Sequence, residues 1–300
     1  FRISDNHNPL PQDRFYFNYN YYHNAQLFKP EWDTSGSMVD LHGYTFGLEK
    51  TFCQGNMSGT LVVPFSSGLD SDMQFAFDSP VAAPTGAQFG DIALVLKALL
   101  CRNCTTALSA GVAVTLPTGN DFRLAESPDG VTIDNLLDID NEAVHVMPFV
   151  GVLWTPDPCW FVESFVAFDL DTAGNSVSIG RYLGGPSETT LTGTYQEQNL
   201  MSLDLSVGRW LYRDACRRHL TGLAGLVEVH YTTTLNDSDD VGEIDLGISN
   251  PLNRMDIVNL TAGLHLQLNE CSNLRVAAGV PLRDLNTPDG FPQERLFDTE

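Results

Sequence analysis

The feature that most constrains this chain is a hydrophobic alternation of period two. It recurs in segments of about 9 to 13 residues, close to the length that a tilted strand needs to cross a bilayer. In the first segment, 14–22, Phe15, Phe17, Tyr19 and Tyr21 alternate with Tyr16, Asn18 and Asn20. The others come in pairs separated by a few turn-forming residues: 41–52 with 57–65, 90–100 with 105–116, 143–154 with 160–170, 200–212 with 220–232, and 255–268 with 274–282. Thr155-Pro156-Asp157-Pro158 between two of them is compatible only with a turn. Helix signals are scarce, because even 91–100 alternates through Ile92, Leu94 and Leu96.

Between the pairs lie long polar stretches at 23–40, 66–87, 117–142, 171–198, 233–254 and 283–294, rich in Gly, Pro, Asp, Asn, Ser and Thr. A compact soluble domain rarely carries many structureless loops of that length. Short turns alternating with long loops are what a transmembrane barrel shows. One leading strand, the five pairs and a closing strand over 293–300 predict an all-β, antiparallel, up-and-down transmembrane β-barrel of about twelve strands. Its short turns are periplasmic and its long loops external. Residues 1–12 form a periplasmic N-terminal segment and 13–300 a single barrel domain. The last strand is expected to continue past Glu300 by roughly one strand length, about 9–11 residues.

Composition narrows the functional classes. Hydrophobic residues make up 43% of the 300, and no stretch approaches the roughly 18 consecutive apolar residues of a spanning helix. Sixteen basic residues face 38 acidic ones, a formal charge of −22, which argues against nucleic-acid binding. The balance suits a secreted or surface protein and also a halophilic soluble one. No charged and apolar leader follows Phe1, so either a signal peptide is removed or the sequence starts inside a longer chain.

The alternation divides each strand into two faces. Leu260, Ala262, Leu264, Leu266 and Leu268 oppose Asn259, Thr261, Gly263, His265 and Gln267, while Leu223, Val227 and Val229 oppose Ala224, Glu228 and His230. Small residues such as Ser109, Gly111, Ala113 and Thr115 also fall on the polar side. Trp154, Trp160, Trp210, Tyr212 and Phe52 sit beside short turns, as an interfacial girdle requires. Lumen-facing candidates are Glu49, Lys97, His145, Glu163, Asp204, Glu228, His230, His265 and Arg275. No nucleophile elbow, zinc-protease helix or phosphate loop accompanies them, so they predict no catalytic set and no enzyme.

The loop carboxylates Asp134, Asp138, Asp140, Asp237 and Asp239 are a weak candidate calcium set, since neither run keeps the EF-hand register. No other cofactor is expected. The six cysteines, Cys53, Cys101, Cys104, Cys159, Cys216 and Cys271, all fall in or beside the short turns. An even count suits an oxidising compartment. Disulfides between consecutive turns are expected as Cys53–Cys101, Cys104–Cys159 and Cys216–Cys271, with a local Cys101–Cys104 bridge as competitor. The triplets Asn56-Met57-Ser58 and Asn259-Leu260-Thr261 begin strands and are discounted as glycosylation sites.

The run Phe1-Arg2-Ile3-Ser4-Asp5-Asn6 through Pro9, then Asp13-Arg14-Phe15-Tyr16-Phe17-Asn18-Tyr19-Asn20-Tyr21, resembles the start of a large family of planctomycete outer-membrane barrels. Gly47-Leu48-Glu49-Lys50-Thr51-Phe52, Leu116-Pro117-Thr118-Gly119 and Pro148-Phe149-Val150-Gly151 leading to Trp154 extend the resemblance over most of the chain. The chain departs from that pattern in its many turn cysteines. The resemblance implies the barrel fold and the bacterial outer membrane, and supplies no substrate.

The function expected is a passive, weakly cation-selective channel for small hydrophilic solutes, with outer-membrane lipid around it. The alternative is a plugged structural or surface-interaction barrel, an anchor or lattice component, favoured if inward Tyr16, Tyr22, Phe149, Phe161, Phe165 and Trp210 obstruct the lumen. A homo-oligomer or another envelope protein is a candidate partner. A soluble β-sandwich with extracellular binding loops is a third reading.

Overall fold

The computed structural model describes residues 6–26, 38–67, 72–75, 87–126, 134–181, 189–214, 216–217, 219–237, 241–243, 246–248 and 256–283. Eleven long strands dominate. They are β1 (Arg14–Gln26), β2 (Met38–Phe52), β3 (Met57–Ser67), β4 (Ile92–Arg102), β5 (Thr106–Leu116), β6 (His145–Trp154), β7 (Trp160–Asp171), β8 (Leu200–Arg213), β9 (Gly222–Thr234), β10 (Asp256–Gln267) and β11 (Asn273–Pro281). Each pairs antiparallel with its sequence neighbour, so the order in the sheet is the order in the chain. A short strand, Ala87–Phe89, pairs with the end of β3 and brings the sheet to twelve strands.

Eleven of the expected strands and their antiparallel order are therefore present, the twelfth member of the sheet is the unexpected strand at 87–89, and the sheet is not closed. No pairing joins β11 to β1 among the described residues. The expected last strand at 293–300 lies outside them.

The long stretches are not structureless, which corrects the sequence reading. Segments Asp72–Phe75, Phe122–Glu126, Asp134–Asp140, Asn175–Arg181 and Thr189–Tyr195 form a second, five-stranded sheet, antiparallel except between the first two. A hairpin of Val241–Glu243 and Leu246–Ile248 adds Val241, which is buried with Val177 and Ile179. Their alternation was there to read in Ser176-Val177-Ser178-Ile179, but Ser and Thr at every second place gave it the composition of a loop. Asp91 and Asp171 hold the base of this sheet. Asp91 accepts the Thr118 and Gly119 amides at 2.9 and 2.7 Å, and Asp171 accepts those of Ala173, Gly174 and Glu197.

On the inner face, aromatic rings lie flat over glycines of the neighbouring strand. A Cβ on Gly47 would stand 2.0 Å from the Tyr16 ring, and one on Gly208 2.0 Å from Phe161. Phe149 covers Gly111, Phe165 covers Gly151 and Trp210 covers Gly222 in the same way. These rings line the wall instead of projecting from it. A small apolar cluster of Phe149, Phe165 and Ala167, with Val95 and Met147 against it, packs on the same face.

Candidate functional site

The main sheet is polarised the wrong way round for a soluble protein. Its outer rows carry exposed large apolar side chains: Phe15, Phe17 and Tyr19 on β1, Leu94 and Leu96 on β4, Leu203, Leu205 and Val207 on β8, and Val276 and Val280 on β11. Phe15 is 67% exposed and Val276 60%. Its inner rows bury charge instead, with Glu49 1%, Glu228 0% and His230 4% exposed. Soluble monomers seldom expose contiguous apolar patches above a few hundred Å². Buried charges persist only when paired and hydrogen-bonded.

The inner charges meet that condition. Glu49 receives Arg14 Nε at 2.7 Å, Lys97 Nζ at 2.9 Å and the Ser58 hydroxyl at 2.6 Å, which joins β1, β2, β3 and β4. His230 lies between two carboxylates, with Nδ1 at 2.7 Å from Asp204 and Nε2 at 3.3 Å from Glu228. Arg275 on β11 faces Glu163, Glu228 and Arg14, and its Nε donates to His265 Nδ1 at 3.0 Å. Groups from β1, β7, β9 and β11 converge here, so the sheet curls round its polar face. Nearer the long-loop end, His145 Nδ1 meets Asp169 at 3.0 Å.

One carboxylate stands apart. Glu163 is 7% exposed, and its Oε2 has no hydrogen-bond partner among the described residues. It shares a register line with Ser206, Glu228 and Thr261 across β7, β8, β9 and β10. The Thr261 hydroxyl also has no partner among the described residues. Chemically this line offers oxygen acceptors for a cation or a proton.

The polar face is occupied by the chain's own N-terminal segment. Lys97 Nζ donates to the carbonyls of Asn8 at 2.7 Å and Leu10 at 3.2 Å. Arg275 Nη1 donates to Asn6 Oδ1 at 2.9 Å, Asn6 Nδ2 donates to Asn18 Oδ1, and the Gln12 amide donates to Glu49 at 3.3 Å. Pro9 is among the most buried residues of the chain. The segment is pinned to β1, β2, β4 and β11: Asn6 bridges the two edge strands β1 and β11, and Gln12 is held by β2.

Of the nine lumen-facing candidates, Glu49, Lys97, Glu163, Asp204, Glu228 and His230 are buried, and His145, His265 and Arg275 are half-buried. The alternation did not show that Glu49 joins Lys97 while Asp204 and Glu228 share His230. Sequence reasoning missed Arg14, Ser58, Asp169 and the whole of 6–12 as members. Arg14 and Ser58 have the right parity for the inner face. Nothing local marks 6–12, whose partners lie up to 269 residues away.

Among the described residues no group of three or more His, Cys, Asp or Glu side chains is placed to hold a metal. In the candidate calcium set, the side chain of Asp134 and all of Asp239 lie outside the described residues, while Asp140 and Asp237 are exposed. The expected disulfides are not formed. All six cysteines are exposed and unbonded, at the short-turn end. The physical reason is spacing: consecutive turns are two strand separations apart, about 9–10 Å, beyond the Cα separation a disulfide spans.

No family model matches the chain, and no curated protein is significantly similar to it.

Proposed function

We propose that the main sheet closes into an outer-membrane β-barrel that acts as a passive channel for small hydrophilic solutes, held shut by its own N-terminal segment. The observation that carries this reading is the inverted polarity of the sheet, apolar outside and charged inside. Lipid is the solvent that such an outer face requires, and a closed barrel is the sheet that lipid tolerates. Closure takes one further strand between β11 and β1, from sequence beyond Arg283.

The gate follows from the inner contacts. Aromatic rings lie against the wall, so residues 6–12 are what fills the polar face at the level of Lys97 and Arg275. Once the segment leaves, its partners Lys97 and Arg275 stand beside Glu49 and Glu163 and keep the passage polar. The formal charge of −22 favours cations over anions.

A second reading is a permanently plugged anchor or lattice component, favoured by the second sheet built from the long loops. Conductance in a planar bilayer separates the two. The channel reading expects an intact chain that is nearly silent and a chain lacking residues 1–12 that conducts in steady ohmic steps. Silence from both supports the anchor. Equal conductance from both removes the N-terminal segment as the gate.

A further inference from the structure

The stretch 209–218 is unlike the rest of the chain. It holds Arg209, Arg213, Arg217 and Arg218, four of the 16 basic residues in a sequence of formal charge −22, against Asp214 alone. The first three lie among the described residues, all exposed, at the short-turn end of β8. We propose that this end of β8 carries a binding site for the phosphate headgroup of an anionic phospholipid, with Arg209 as its anchor. The proposal rests on the reading of the outer face as the lipid-facing one.

The outer row of β8 has the layout of such a lipid. Leu203, Leu205 and Val207 are exposed apolar side chains, and the next residue of that row is Arg209. On β9, the exposed Val229 lies opposite Leu205 and the exposed Val227 opposite Val207, so the apolar surface is two strands wide. Opposite Arg209 is Gly225. A Cβ there would meet only the tip of Leu211, at 3.8 Å, which leaves a notch beside the guanidinium. An acyl chain lies along the apolar row and its phosphate enters the notch at the end. A free phosphate has no use for that row, so the continuity of the two surfaces selects the lipid.

The Arg209 guanidinium is held without being neutralised. Its Cζ lies 5.2 Å from the centre of the Trp160 ring, and no carboxylate pairs with it among the described residues. A guanidinium stacked on an aromatic face keeps its N–H edge available for two phosphate oxygens. Trp160 is itself exposed on the outer side, where amphipathic rings mark the headgroup level. The carboxylates of the two adjoining turns are engaged elsewhere. Asp157 accepts the Cys159 and Trp160 amides at 2.7 and 3.0 Å, and Asp214 accepts the Cys216 amide at 3.0 Å and faces Arg217 Nε at 3.4 Å.

Beyond Arg209 the strand shifts register between Trp210 and Tyr212, and Tyr212 lines an open hollow with Arg217, His219 and Leu220. Tyr212 follows Arg209 by three residues, about 10 Å of extended strand at most. The hollow therefore receives the part of the headgroup beyond the phosphate, with Arg217 as a second cation. Arg213 stays outside the site. Its Cζ lies 4.7 Å from the centre of the inner Trp210 ring and its Nη1 donates to the Pro158 carbonyl at 3.3 Å, which ties the β6–β7 turn to β8.

Native mass spectrometry tests the site on the full chain in nonionic detergent, with phosphatidylglycerol and phosphatidylcholine of identical acyl chains at equal concentration. Each arginine at a charged headgroup is worth about fivefold, so the chain is expected to retain phosphatidylglycerol over phosphatidylcholine by roughly tenfold. Arg209→Gln lowers the preference about fivefold. Arg217→Gln lowers it by less, because Asp214 already faces that arginine, and Arg283→Gln, at the long-loop end, leaves it unchanged. Equal retention of the two lipids, or a full preference in Arg209→Gln, would overturn the site and leave the barrel reading standing. Retention of inorganic phosphate in place of phosphatidylglycerol would overturn the lipid as its ligand. Retention of neither lipid would overturn both the site and the lipid-facing reading.

Discussion

Replacing Lys97 by methionine removes one buried ammonium while keeping most of the volume of its stem. Lys97 Nζ donates to the Asn8 and Leu10 carbonyls at 2.7 and 3.2 Å, both on the N-terminal segment. Its third partner, Glu49 at 2.9 Å, belongs to the wall. Glu49 keeps Arg14 at 2.7 Å and Ser58 at 2.6 Å after the substitution, so the wall retains a compensated carboxylate. A hydrogen bond to a charged group is worth roughly 1.5–3 kcal/mol. The two freed carbonyls regain water when the segment leaves, so the lower figure applies to each. The seated state then loses about 3 kcal/mol, which multiplies the ratio of open to closed by roughly 100. Single-channel recording reads this as open probability, with a heat-modifiable gel shift to confirm that the variant folds. A folded Lys97→Met barrel with unchanged open probability would refute the gate.

Three further outcomes follow from the same structure. Arg275→Met removes one contact to the segment, at 2.9 Å to Asn6, and raises the open ratio by only about tenfold in the same recording; an effect larger than that of Lys97→Met contradicts the division of labour. Gly208→Ala drives a Cβ to within 2.0 Å of the Phe161 ring, whereas at Gly59 the nearest contact is 3.9 Å. Urea titration in detergent therefore shows Gly208→Ala destabilised by about 1–3 kcal/mol and Gly59→Ala much less; equal losses contradict the ring-on-glycine packing.

At the start of β1, donation from Lys50, then from the Thr51 hydroxyl and amide, holds the Asp13 carboxyl well below the usual carboxylate range. A depressed acid stabilises the fold above its unfolded pKa, about 4, and that stability is lost as pH falls through the folded value. Thr51 amide exchange is thus expected to stay protected from neutral pH down to about pH 5 and to weaken only in stronger acid. Loss of protection already above pH 5 contradicts it.

The strand order and the inner set were legible because period two is a local signal and side-chain parity follows from it. Glu228 and His230 are two apart in one strand, so one parity assignment places both inside. Which groups meet is a matter of register between strands, and Arg275 with Asn6 or Lys97 with Asn8 leave no trace in either neighbourhood. The cysteines show the same limit. Their clustering in turns was plain, while the contacts between turns, such as the Trp210 amide on the Cys159 carbonyl and the Thr155 amide on the Thr105 carbonyl, are set by register. The second sheet was hidden because Ser, Thr and Asp in Asp134–Asp140 and Thr189–Tyr195 carry a strand pattern in loop composition.

The inverted polarity of the sheet is tested most directly by spin-label accessibility along β10 in reconstituted vesicles, in a background whose six cysteines are serine. Labels at Ala262, Leu264 and Leu266 are predicted to collide readily with oxygen and poorly with a water-soluble nickel reagent. Labels at Thr261, Gly263 and His265 are predicted to be shielded from oxygen by the packed interior, giving a period of two. Nickel accessibility at Leu264 as high as at an exposed loop position, or no alternation along the strand, would contradict a lipid-facing barrel.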